Sequence, residues 1–210
     1  MIKDQKSSLA AEVRPVANRR SFLVPGSTAL LLMDFQAAAS ELTGAPEEVF
    51  ERAALVLTLA RAAALFVIYV RVAFRDGYPE LSQANLGFTR IRERGLLQEG
   101  VGTNIVPALQ PLDHEVVVTK HRTGPFVGTE LDQILRAREI TTLVVAGIST
   151  SGVVLSTVRE AADRDYRLVL IRDCCFDPDP ELHGLLFDRV FPRQAQVTTS
   201  TELIALLSDN

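Results

Sequence analysis

Val144-Val-Ala-Gly-Ile-Ser-Thr-Ser-Gly-Val-Val-Leu-Ser-Thr157 is an apolar strand that runs into a turn of small residues and then opens a helix. A strand, a tight turn and a helix N-terminus bring free backbone N–H groups and a positive dipole end to one point. Such a point stabilises developing negative charge in many α/β enzymes. No Cys, His, Asp or Glu lies inside this turn. It reads as an anion cradle without a nucleophile of its own.

Working outward, the same alternation recurs. Apolar strands are predicted at Leu30-Leu-Leu-Met-Asp34, Phe66 to Val72, Glu115-Val-Val-Val-Thr-Lys120, Leu143 to Ala146, Leu168 to Ile171 and Gln196 to Thr198. Helices are predicted from Pro46, where two acids fill the first turn, and over Phe88 to Arg94, Thr129 to Ala137, Ser151 to Asp163, Pro180 to Val190 and Thr201 to Leu207. Uniformly apolar strands alternating with amphipathic helices imply a mostly parallel sheet covered on both faces. The expected fold class is α/β, a three-layer, doubly wound, six-stranded domain over residues 28–210, preceded by an N-terminal arm over residues 1–27. The segment 73–113 is long and irregular, and a connection of that length in a compact domain is usually functional.

Composition narrows the possibilities. With 210 residues, 47% hydrophobic and 23% charged, the chain fits one globular domain. A formal net charge of −4 gives no basic patch for nucleic acid and no reason to expect a membrane partner. The apolar run Ala53 to Val72 is interrupted by Arg61 and changes character at Phe66, so it reads as helix then strand, not a membrane span. The start, Met1-Ile-Lys-Asp-Gln-Lys, lacks the apolar core of a signal peptide, and a cytoplasmic location is expected. Cys174 and Cys175 are adjacent, which suits neither a disulfide nor a spaced metal-ligand set.

In open parallel sheets the ligand site lies beyond the carboxyl ends of the strands. Asp34, Lys120 and the Gly147 turn all fall at such ends. Alone, each has an ordinary explanation: a capping acid, a surface cation, a chain reversal. Together they put an acid, a cation and an anion cradle in reach of one pocket.

Three blocks carry a family resemblance: Leu31-Leu-Met-Asp-Phe-Gln36; Val118-Thr-Lys-His-Arg-Thr-Gly-Pro-Phe126 with Gly128-Thr-Glu-Leu131; and Val145-Ala-Gly-Ile-Ser-Thr-Ser-Gly-Val153. In order and spacing they resemble the signature blocks of the isochorismatase-like superfamily, which includes the cysteine hydrolases, over roughly residues 28–205. The resemblance implies that Asp34 and Lys120 are catalytic. It implies that Ser149 and Val153 supply the backbone donors of an oxyanion hole, and that the Ile148–Ser149 peptide is cis. It places the nucleophilic cysteine six residues after Gly147, where this chain has Val153. Valine has no proton to give and no lone pair, so a thiol mechanism is unavailable there. The true isochorismatases also lack that cysteine and use an aspartate as general acid on a vinyl ether. Val153 differs from their glycine, so isochorismate is not assigned as substrate. The resemblance further implies a homodimer or homotetramer.

Substrate contacts are expected from Gln36, Phe126 and Thr150 within the blocks, from Arg71, Arg75 and Tyr78 at the mouth, and from His121 at the rim. The arginines suggest an anionic small molecule, since a guanidinium fork suits a carboxylate. Nicotinamidases of this superfamily carry an Asp-x-His metal set after the second strand; this chain has no His there, so neither metal nor other cofactor is expected. A dinucleotide-binding oxidoreductase is disfavoured because the Gly147 turn lacks G-x-G-x-x-G spacing, although Asp173 stands near a ribose-binding position. The expected function is a hydrolase with Asp34 as proton donor or base and no cysteine nucleophile. The alternative is a catalytically silent, metabolite-binding protein of the same fold.

Overall fold

The computed structural model describes residues 23–208. Its strands are β1 (Thr28–Met33), β2 (Phe66–Val72), β3 (Val116–Lys120), β4 (Thr142–Ile148), β5 (Arg167–Phe176) and β6 (Gln196–Thr198). They form one sheet in the order β3-β2-β1-β4-β5-β6, and every neighbouring pair is parallel. The helices are α1 (Ala37–Thr43), α2 (Glu47–Ala62), α3 (Leu86–Glu93), α4 (Leu131–Ala137), α5 (Leu155–Asp163), α6 (Pro180–Leu185) and α7 (Ser200–Ser208).

The two central strands, β1 and β4, are buried along their whole length, which is why they read as unbroken apolar runs. Alternate residues serve opposite faces. Leu30 and Leu32 pack with Val56 and Leu57 of α2 and Leu203 of α7, whereas Ala29, Leu31 and Met33 pack with Leu131 of α4 and Val158 of α5. The result is the doubly wound, three-layer α/β architecture. Most of residues 1–27 lie outside the described residues. From Leu23 onward that segment joins the domain: Leu23 is buried against the α2 side of the core, and the Ser27 carbonyl accepts hydrogen bonds from Thr141 and Thr142.

Arg61, which breaks the apolar run, has a specific partner. Its guanidinium donates to both carboxylate oxygens of Glu115, at 2.8 and 2.7 Å, and to the Tyr69 hydroxyl at 3.1 Å. No helix among the described residues is long and apolar enough to cross a membrane.

Two elements differ from the sequence expectation. Residues 37–43 form α1, and β5 continues past Ile171 to Phe176. That extension carries a bulge: Val145 pairs with Leu170, yet Gly147 pairs with Cys175. After it, Cys174 packs on one face of the sheet and Cys175 on the other.

The chain leaves the sheet outward after β1, toward β2 and β3, and returns to β4 beside β1. The switch point therefore lies between the carboxyl ends of β1 and β4. Gly147 sets how closely they approach. A Cβ there would lie 2.9 Å from the Met33 carbonyl oxygen and 3.1 Å from Met33 Cβ. Gly147→Ala is expected to destabilise the fold by about 1–3 kcal/mol through forced separation of β1 and β4. The urea midpoint should fall without a change in slope; an unchanged midpoint would show that the strands yield freely at this point.

Candidate active site

Asp34 follows β1 directly and adopts a left-handed backbone, φ 60°, uncommon for a residue other than glycine but tolerated by Asp. Its N–H donates to the Val70 carbonyl and its carbonyl accepts from Gln36 N–H, which fixes the kink. Lys120, the last residue of β3, sits opposite Val72 of β2. From there its side chain reaches Asp34 past the intervening strand: Nζ donates to Asp34 Oδ2 at 2.7 Å and to the Thr123 carbonyl at 2.7 Å.

Both members of this pair are buried, Lys120 being 1% exposed. Asp34 Oδ1 is buried and has no hydrogen-bond partner. Burial pushes the Asp34 carboxyl above its ordinary value, against the opposing pull of the Lys120 ammonium. The pair thus holds a carboxylate that keeps a proton more readily than a free one.

At the end of β4 the Ile148–Ser149 peptide is cis. A wide helical turn over Thr150–Val154 then leads into α5. This turn is tied from the β5 side. Asp177 Oδ2 accepts from Ser151 N–H at 2.7 Å, and the Thr150 hydroxyl is 2.8 Å from His183 Nδ1.

Asp34, Gln36, Lys120, Ser149 and Val153 line one cavity of about 210 Å³, together with Thr123. Much of its remaining wall comes from α1 and α3, including Ala39, Leu42, Phe88 and Ile91, with Val72, Leu97 and Ile148 completing it. The helical wall residues escape a reading of strand ends, because only the tertiary fold brings two helices over the sheet edge. Thr123 lies inside the second sequence block and could have been nominated from it.

The other sequence candidates are placed elsewhere. Arg71 donates to Thr119 and Glu99 and lines a separate groove of about 700 Å³ with Ile105, Val106 and Val117. Arg75 is largely exposed and pairs with Glu80. The Tyr78 hydroxyl donates to the Leu96 carbonyl. His121 packs against Phe74, and Phe126 stacks on Tyr166 in the core. None of these, nor Thr150, is among the residues lining the Asp34 cavity. Gln36 does line it, but its amide is committed: Nε2 donates to the carbonyls of Val72 and Thr103, and Oε1 accepts from Val72 N–H.

Cys174 and Cys175 are buried away from the cavity, and burial pushes the Cys175 thiol up to about 12. The Asp173 carboxylate, near a ribose-binding position in sequence, instead accepts from Ser200 N–H and Oγ at 2.7 and 2.6 Å. Among the described residues, no group of three or more His, Cys, Asp or Glu side chains is arranged to hold a metal ion.

Comparison with known proteins agrees with this geometry. Residues 28–202 match the model of the isochorismatase domain. The chain is 31% identical over 184 residues to the isochorismatase family protein YecD of Escherichia coli O157:H7, covering 86% of this chain and 96% of that one. It is 30% identical over 185 residues to the ureidoacrylate amidohydrolase RutB of Acinetobacter baylyi, covering 77% and 76%. A cysteine hydrolase structure from Pseudomonas syringae pv. phaseolicola superposes with a TM-score of 0.81 over 90% of this chain and 95% of that one, at 24% identity, and so shares the fold. The domain match, the switch-point cavity and the paired Asp34 and Lys120 lead to one conclusion: the chain belongs to the isochorismatase family.

Proposed function

We propose that this protein is a hydrolase of a small organic molecule in which Asp34 transfers the protons and no cysteine acts as nucleophile. The observation that carries the reading is the buried Asp34–Lys120 pair lining a cavity at the switch point, with Asp34 Oδ1 left without a partner. A carboxylate whose proton affinity is raised by burial is a stronger base than a free one. Asp34 takes a proton from water as the water oxygen attacks the substrate carbonyl. The carbonyl oxygen gathers negative charge and is met by Lys120 and by the backbone N–H groups of Ser149 and Val153. Asp34 then returns the proton to the leaving group as the bond to carbon breaks, so the enzyme ends as it began. Val153 stands where the family resemblance assigns a thiol, and the cycle needs none.

The pH profile tests this assignment. The base must be ionised, so activity should fall as pH drops through the Asp34 value. Because burial outweighs Lys120, the inflection should lie above the ordinary aspartate value of about 3.9. A rate that instead rises as pH drops through this window would make Asp34 an initial proton donor and overturn the order of steps.

The silent-protein reading draws support from Val153 itself, which is buried and fills the cavity floor with hydrocarbon. The two readings part on one measurement, Asp34-dependent ammonia release from a panel of amides and ureides. Its absence throughout the panel would favour the silent protein.

A further inference from the structure

We infer that the cavity selects an uncharged substrate, a carboxamide or ureide on a compact apolar body, and discriminates against carboxylates. The inference rests on the cavity being the reaction site proposed above. Among the described residues its charged lining is one acid and one base, Asp34 and Lys120, so the lining sums to zero. The arginines that would have favoured an anion lie outside: Arg71 in its own groove with Glu99, Arg75 at the surface with Glu80.

The uncommitted hydrogen-bonding groups refine the class. The Lys120 ammonium carries three protons. Two go to Asp34 Oδ2 and the Thr123 carbonyl, which leaves one. Asp34 Oδ1 is an acceptor without a donor. Gln36 contributes nothing further, since its amide is held by Val72 and Thr103. With the Ser149 and Val153 N–H groups of the proposed oxyanion hole, several donors stand beside one spare acceptor, and a neutral amide meets both, its C=O accepting and its N–H donating. A carboxylate offers acceptors only. It would leave Oδ1 unsatisfied and set a second negative charge against Asp34, both costly beside a buried pair.

Most of the rest of the wall is hydrocarbon, from Leu42, Val72, Phe88, Ile91, Leu97 and Ile148, with hydroxyls only from Thr43, Thr123 and Ser149 among the described residues. A volume of about 210 Å³ lies below the ~300 Å³ at which pockets for drug-sized ligands begin. The body attached to the amide is therefore small and apolar. This sets the chain apart from its Acinetobacter relative, since ureidoacrylate is itself a carboxylate.

Benzamide and benzoate form a matched pair of probes, equal in non-hydrogen atoms and differing in charge and in the N–H donor. Titrated calorimetrically into the full chain at neutral pH, benzamide should bind at least about tenfold tighter than benzoate. Ile91→Arg, on the half-exposed face of α3, adds a cation to the wall and should reverse the preference. Equal or tighter benzoate binding to the unmodified protein overturns the inference, and so does failure of both probes to bind. Unchanged affinities in Ile91→Arg would place the probes elsewhere and overturn it as well. The hydrolase reading is judged separately: benzamide selectivity without any Asp34-dependent turnover would remove the chemistry and leave the substrate class standing.

Discussion

Asp34→Asn should lower kcat/KM on a neutral carboxamide by about 10²–10⁴-fold, the usual contribution of a positioned acid–base group. The same change should also lower the melting temperature. Lys120 is buried, with Asp34 as its one charged partner among the described residues, so removing the acid's charge leaves the ammonium without that compensation. Breaking a buried pair from one side costs about 3–5 kcal/mol. In a domain of this size that corresponds to a drop on the order of 10 °C. Loss of activity in the single variant therefore has two sources, and a second substitution separates them. Asp34→Asn combined with Lys120→Met removes the stranded charge and replaces the pair with uncharged groups. Most of the lost melting temperature should return while activity stays down. If activity returns along with stability, the pair is a structural device and the proton-transfer role is wrong.

Val153→Cys has the second largest expected consequence. The native protein should resist iodoacetamide, because both of its cysteines are buried and their thiols are pushed well above the ordinary range by that burial. A thiol at position 153 would instead stand in the cavity with the Asp34 carboxylate and the Lys120 ammonium. Position 153 is buried as well, so the difference lies in its place on the cavity wall and in the Lys120 ammonium there, which favours a thiolate beside it. One equivalent of label, located at position 153 by peptide mass analysis, is the expected result. Asp34→Asn in that background should slow the labelling, since the nearby base would be gone. Labelling at Cys174 or Cys175 in the unmodified protein would contradict the burial that places them outside the chemistry.

The six strands were legible because β1 and β4, buried on both faces, must be apolar throughout, and a parallel sheet forces helices between its strands. Strand ends follow from strand positions, so Asp34, Lys120 and the turn after Gly147 could be named together. What the sequence concealed depends on direction and distance. Arg172-Asp173 interrupts the apolar pattern of β5 and reads as a loop, yet the strand continues there because the bulge turns both outward, toward Asp188 and Ser200. Helix α1 has no capping side chain and opens on three alanines, so its start carries no local signal. Arg71 looked like a substrate clamp because it sits near the end of β2. In the fold its guanidinium meets Thr119 and Glu99, partners far away in sequence. Gln36 is a different case: an amide in a signature block suggests a ligand contact, and in the fold it lines the cavity while its side-chain bonds go to backbone.

Those bonds of Gln36 have a mechanical consequence. One side-chain amide fastens the exit of β1 to the end of β2 and to Thr103, so three stretches of chain around the cavity must move as a single body. The opposite wall is α3, which has no buried residue and presents Leu86 to solvent. Displacing α3 sacrifices few contacts; displacing the Gln36 side breaks three hydrogen bonds at once. Entry and exit of a small molecule are therefore cheapest on the α3 side. The residence time of a bound molecule then depends on a segment that takes no part in the chemistry, and substitutions in α3 should alter dissociation more than the reaction itself.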